Sequence, residues 1–109
     1  MGSASQRLCL VEDIPDGGSK SLGDDTTSSL FAVRQGCQVY VYRNRCPHAG
    51  MPLNWMPDRF LTKDKSQIIC SAHGALFDIT SGACLAGPCA GIPLTSIAIR
   101  IANGEVLKV

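Results

Sequence analysis

Histidine is scarce in this chain, with two in 109 residues. So few imidazoles exclude a His-rich catalytic metal centre beyond whatever that pair does. Aromatic residues make up only 6% and include a single Trp. A charge surplus is also missing, because 10 Lys+Arg face 9 Asp+Glu for a formal net charge of +1. Nucleic-acid binding draws on clustered cations that neutralise phosphates, and the basic residues here are scattered, so no nucleic-acid partner is expected. Long apolar runs are absent too. The longest uncharged stretch, Ile79 to Ile99, is broken by Gly82, Gly87, Pro88, Gly91 and Pro93. A lipid-spanning helix needs about 20 mostly apolar residues, so no membrane anchor is expected. The opening residues MGSASQRLCLVED hold neither an apolar signal core nor a twin arginine. The expected compartment is the cytoplasm, where clustered cysteines more often mean metal than disulfide.

What remains has the length of a single domain, 1–109, and its pattern is β. Arg7 to Glu12 reads as a first strand and residues 15–28 as a polar, Gly-rich loop. Leu30 to Gln35 and Gln38 to Arg43 read as a hairpin around Gly36-Cys37, which suits a two-residue turn with glycine at its first central position. In the second of these strands Val39 and Val41 share one face, Tyr40 and Tyr42 the other. Ser96 to Ile101 puts Ile97, Ile99 and Ile101 on one face. Asn103-Gly104 then turns the chain into a last strand, Glu105 to Val109. A short helical turn is expected between Asp58 and Asp64. The middle, roughly 44–93, is rich in Cys, His, Pro and Gly and poor in periodicity. An irregular stretch of that length needs something to hold it, and a metal centre would supply the constraint.

That region contains Cys46-Pro47-His48 and Cys70-Ser71-Ala72-His73, a C-x-H and a C-x-x-H motif. Together they use both histidines. Two thiolates and two imidazoles are the right donor number for a four-coordinate zinc or for a mixed-ligand iron–sulfur cluster. Zinc fingers usually pair like ligands tightly, whereas each short motif here offers one Cys and one His. If one iron takes both cysteines and the other both histidines, each loop straddles the cluster, as in a Rieske [2Fe-2S] centre.

The paired motif resembles the cluster-binding signature of the Rieske family. The likeness extends through Gly74, Phe77-Asp78 and Gly82 to Gly87-Pro88, which resembles the Pro-containing loop that covers the cluster in that family. The resemblance implies an all-β fold. An antiparallel β-sandwich or partly open barrel base would carry a small two-loop cluster-binding subdomain. It implies one [2Fe-2S] cluster per chain, with Cys46, His48, Cys70 and His73 as the iron ligands, the cysteines deeper and the histidines toward the electron exit. High-potential members carry a loop-linking disulfide at positions occupied here by Met51 and Ala72, and hydroxyl donors where this chain has Ala75 and Phe77. Donors near cluster sulfur favour the reduced form. Their absence implies a potential toward the low end of the roughly −150 to +300 mV Rieske range. The pattern resembles ferredoxins that serve ring-hydroxylating oxygenases.

Four cysteines lie outside the ligand set. Cys9 reads as a buried strand residue and Cys37 as an exposed turn residue. Cys84 and Cys89 flank Gly87-Pro88. Two free thiols, or one packed against the cluster loop, are expected in a reducing compartment, with a disulfide that would stiffen the covering loop as the alternative. Trp55, with Met51, Pro52, Leu53 and Met56, is either a docking surface or packing for the first loop. Arg43, Arg45, Arg59, Lys63 and Lys65 read as a solvated charge set that could also steer an acidic partner. The expected function is a non-enzymatic one-electron carrier. It would be a cytoplasmic monomer passing electrons from a reductase to a terminal oxidoreductase, plausibly an aromatic-ring dioxygenase. The alternatives are a non-catalytic Rieske subunit or redox sensor of another oxidoreductase system, and then a zinc-stabilised interaction module. A complete oxygenase is excluded, since it needs a separate 2-His-1-carboxylate iron site.

Overall fold

The computed structural model describes residues 6–24, 29–45, 53, 58–70, 74–87 and 91–109. Nine strands follow in chain order: β1 (Gln6–Leu10), β2 (Ser19–Asp24), β3 (Ser29–Gln35), β4 (Gln38–Arg43), β5 (Ile68–Ile69), β6 (Leu76–Phe77), β7 (Cys84–Ala86), β8 (Ile99–Ala102) and β9 (Glu105–Lys108). They form three antiparallel three-stranded sheets, ordered β1-β9-β8, β2-β3-β4 and β5-β6-β7. The all-β expectation holds. Among the described residues no helix is long and apolar enough to cross a membrane.

The β3–β4 hairpin is the shared wall of the molecule. Leu30, Phe31, Ala32 and Val33 are all buried, which is the continuous apolar run of a strand covered on both faces. Phe31, Val33 and Tyr42 enter one core with Leu53, Phe60, Ile68, Cys70, Ala75, Phe77, Ile79 and Leu94. Leu30, Ala32, Val39 and Val41 enter a second core with Cys9, Ile14, Leu22 and Val106. The alternation of Val and Tyr in β4 therefore divides its side chains between two interiors. Gly36 takes the left-handed φ of 62° that opens this hairpin, and Cys37 beside it is exposed.

The structure corrects several sequence expectations. Residues 19–24, read as loop, form strand β2, paired with β3 from Ser19↔Val33 to Leu22↔Leu30. Its composition is polar because it is an edge strand, with Leu22 as its deeply buried apolar residue. The first strand stops at Leu10, and Val11–Asp13 forms a 3₁₀ turn whose start is tied by Asp13 Oδ2 accepting the Leu10 N–H at 3.0 Å. The span from Asp58 to Asp64 is not helical. Asp58 sits in a turn at a φ of 62° and 63–64 form another, while Leu61 between them bridges Ile68, because pairing with the β5 segment satisfies the backbone there. Ile97 and Ile99 pack on the second core, but Ile101 is 40% exposed, past the edge of that core. The Asn103-Gly104 turn is formed, with φ of 52° and 76°.

Candidate metal centre

The first motif follows β4 directly. Asn44 is buried at the end of that strand, and its Oδ1 accepts the N–H of Leu53 at 2.8 Å. This bond closes the two ends of the segment that carries Cys46 and His48. Leu53 is fully buried in the first core, so of the group around Trp55 this residue is packing. Met51, Pro52, Trp55 and Met56 lie outside the described residues, as do Cys46 and His48.

The second motif is set by the β5–β6 hairpin, where Ile68 pairs with Phe77 and Ile69 with Leu76. Cys70 comes next and is fully buried. Its N–H donates to the Ala75 carbonyl at 2.9 Å, and its carbonyl accepts the Gly74 N–H at 2.8 Å. Gly74 adopts a φ of 73°, which lets the chain turn back into β6. The loop spanning Cys70 to His73 is thus closed at its base by two backbone bonds. His73 lies outside the described residues, so Cys70 is the one member of the expected ligand set whose position is described.

A third segment presses on this loop. Gly87 has a φ of 86°, and a Cβ there would lie 2.8 Å from Ala75 Cα and 3.1 Å from the Gly74 carbonyl oxygen. Only glycine allows so close an approach, so the turn leading into Pro88 rests on the backbone of the second loop. Cys84, on β7 just before it, is disulfide-bonded. Cys9, Cys37 and Cys70 are in no disulfide, so its partner lies outside the described residues. This corrects the expectation of a free thiol at Cys84. The compartment argument behind that expectation concerns average redox conditions, whereas pairing depends on where the fold carries each sulfur.

One side chain joins the two loop-bearing units. Tyr42, on the strand that leads into the first loop, donates its hydroxyl to the Ile79 carbonyl at 2.6 Å, just beyond β6. Burial pushes the Tyr42 phenol up to about 12, helped by the nearby Asp78 carboxylate. Gly82 makes room for the ring, since a Cβ there would lie 2.8 Å from Tyr42 Cε1. The Asp78 carboxylate holds the same turn, accepting Thr80 Oγ1 and both the N–H and Oγ of Ser81 at 2.7–2.9 Å. Those hydrogen bonds, the Ser81 hydroxyl first, lower its pKa. Phe60 stacks on Phe31 with ring centroids 4.3 Å apart beneath this assembly.

Sequence reading missed Asn44, Tyr42 and Phe60 as supports of the site. The one available signal was Asn44, a polar residue at a strand end two positions before Cys46. Ala75 and Phe77 are fully buried, so the positions flagged as lacking hydroxyl donors line an apolar interior. The described surroundings suit a thiolate-bound cluster. A cysteine sits in a closed loop, in a dry core, with a second loop strapped beside it.

The chain is similar to known proteins in sequence and fold. Residues 4–98 match the family described as the Rieske [2Fe-2S] domain. A ferredoxin subunit of 3-phenylpropionate/cinnamic acid dioxygenase from Photorhabdus laumondii is 24% identical over 99 residues, covering 91% of this chain and 88% of that one. The solved structure of a Sphingomonas yanoikuyae ferredoxin is 28% identical, with a TM-score of 0.77, over 96% of this chain and 97% of that one. The ferredoxin of carbazole 1,9a-dioxygenase from Nocardioides aromaticivorans is 25% identical, with a TM-score of 0.79, over 97% of each chain.

Proposed function

Because the chain belongs to the Rieske [2Fe-2S] domain family, we propose that it is a one-electron carrier. It takes electrons from a reductase and delivers them to a terminal oxygenase of the ring-hydroxylating kind, a reading supported by relatives named as ferredoxins of dioxygenases. It does no bond chemistry of its own, and it works as a cytoplasmic monomer. Cys46, His48, Cys70 and His73 hold the iron of one [2Fe-2S] cluster. The observation that carries the reading is the fully buried Cys70 in a loop closed by Ala75 and Gly74 and pressed by Gly87. When bound, the cluster accepts and releases one electron at a potential set by its ligands and their hydrogen bonds.

The chain's own residues have three tasks. Cys70 supplies a thiolate from inside an apolar core, where water cannot compete for iron. Asn44 and Tyr42 hold the two loop bases so that the ligands need not reorganise on electron transfer. Ala75 and Phe77 withhold hydroxyl donors from the sulfurs, which keeps the potential low.

The test is spectroscopic and kinetic. The purified protein is expected to be coloured, to show a Rieske EPR signal after reduction, and to pass electrons from a dioxygenase reductase to its oxygenase in stopped flow. A colourless, EPR-silent protein with stoichiometric zinc would sink this reading. So would a redox titration placing the potential well above about +100 mV, in the case of the low-potential assignment. His73→Ala is expected to lose the Rieske spectrum. Cys89→Ser is expected to keep it and to expose one additional reactive thiol, that of Cys84. A Cys84 that stays blocked in this variant would point to pairing with Cys46 and overturn the ligand set.

A further inference from the structure

The cations at 59–65 occupy one face of one cleft. A cavity of about 520 Å³ lies between the start of β2 and the segment opposite β5, and Arg59, Lys63 and Lys65 line it along with Ser19, Asp58 and Leu61. All three cationic residues are exposed. Asp58 is itself part of the lining and Asp64 stands beside it, and both carboxylates are committed within the fold. Asp58 Oδ1 accepts the Ser21 N–H at 2.6 Å. Asp64 Oδ1 accepts the hydroxyls of Thr62 and Ser66 and the Ser66 N–H, at 2.6–3.0 Å. Among the described residues the ion pair formed is Arg7–Glu105, on the far sheet. The three cations therefore face the cleft without a carboxylate partner among those residues.

The cleft is built, and it borders the site. Asp58 sits at a left-handed φ of 62°, and its carbonyl accepts the Ser19 hydroxyl at 2.7 Å. The Phe60 carbonyl accepts the Ile69 N–H at 2.9 Å, and Leu61 bridges Ile68. Continuing that antiparallel register by one residue sets Arg59 across from Cys70. One end of the cationic face thus adjoins the second ligand loop, and the other reaches the 63–66 turn.

We infer that this cleft anchors an acidic segment of a redox-partner protein, holding it beside the cluster-bearing loop. The inference rests on the proposed electron-carrier role. Three cations on one cleft, with Pro15 and Leu61 in its lining, suit carboxylates presented on a peptide. They are too few for a nucleic-acid backbone. Pairs of this kind act mostly on encounter rate, and salt screens them.

The experiment uses the cluster-loaded protein and a fluorescein-labelled hexaglutamate peptide, read by anisotropy at low ionic strength. The wild-type protein is expected to bind the peptide and not a hexalysine control, with affinity falling as salt rises. Lys63→Glu and Lys65→Glu are each expected to weaken binding by about tenfold. The charge-matched Arg100→Glu, on β8, should change it by less than about twofold. Equal weakening by Arg100→Glu, or no peptide binding by the wild type, overturns the proposal, and so does complete displacement of the peptide by inorganic phosphate at equal charge concentration. Each variant is checked for an unchanged EPR signal. With a dioxygenase reductase, Lys63→Glu should lower the second-order reduction rate and leave the rate at saturation unchanged. A chain without a cluster defeats the electron-carrier role, whereas a cluster-loaded chain indifferent to Lys63 and Lys65 defeats only the cleft.

Discussion

The two interiors on either side of the β3–β4 wall are built differently. The core facing β1 and β9 is aliphatic and regular, made of Leu30, Ala32, Val39, Val41, Ile14 and Val106, and Cys9 there is a bystander whose thiol burial pushes up in pKa. The core facing the two loops holds every buried aromatic side chain among the described residues, namely Phe31, Tyr42, Phe60 and Phe77, and it holds Cys70. The first is closed by long strand ladders. The second is closed by strands of two or three residues and a handful of single hydrogen bonds. A region that must present metal ligands on irregular loops cannot rely on ladders, so large rings and specific clasps take their place.

The contrast can be broken most strongly at Phe60. Phe60→Ala empties a fully buried ring site stacked on Phe31 and is expected to cost about 3–5 kcal/mol. Urea unfolding should show this together with faster loss of visible cluster absorbance. A next, smaller effect is expected at Asn44. Asn44→Leu leaves the buried Leu53 N–H unpaired and should cost about 1–3 kcal/mol, with faster bleaching of the cluster. Asn44→Asp keeps the acceptor and should retain the cluster. In the aliphatic core, Ile14→Val is expected to cost only about 1 kcal/mol and to leave the EPR signal and potential unchanged. An altered potential in that variant would mean that the two interiors are not separate in function.

The smallest effects are those of pH. The Tyr42 phenol is raised to about 12 in the fold, so its contribution is complete below the unfolded value near about 10. It fades as pH rises through that interval, because the unfolded chain then binds fewer protons. Asp64 moves the other way. Hydrogen bonds from Thr62 and Ser66 lower it to about 2, so its contribution is present above the ordinary carboxylate range and is lost as pH falls toward about 2. Denaturation midpoints across both limbs, compared with Tyr42→Phe and Asp64→Asn, check the two signs.

The legible parts of the fold are those with periodicity or turn chemistry. The hairpin at Gly36, the turn at Asn103-Gly104 and the strands around them could be read because period-2 burial and positive φ leave marks on residue type. Strand β2 could not be read. An edge strand with one deeply buried residue has no alternation to detect, and its pairing with β3 is a tertiary event. The strands β5, β6 and β7 are too short to carry a pattern. The Cys-x-His and Cys-x-x-His pair stands out as the expected ligand set because metal chemistry restricts donor types and spacing severely. Its supports were not, since nothing local to Asn44 indicates that it will accept the Leu53 N–H, or that Tyr42 will reach Ile79.

Sequence alone therefore determined the β class, the donor inventory and the family, because periodicity and ligand chemistry are properties of short segments. Only the tertiary structure decided which residues close the loops, why Gly87 must lack a side chain, and that Arg59, Lys63 and Lys65 face one cleft beside Cys70. Those facts depend on contacts between residues far apart in the chain, set by how strands pair and what each interior must fill.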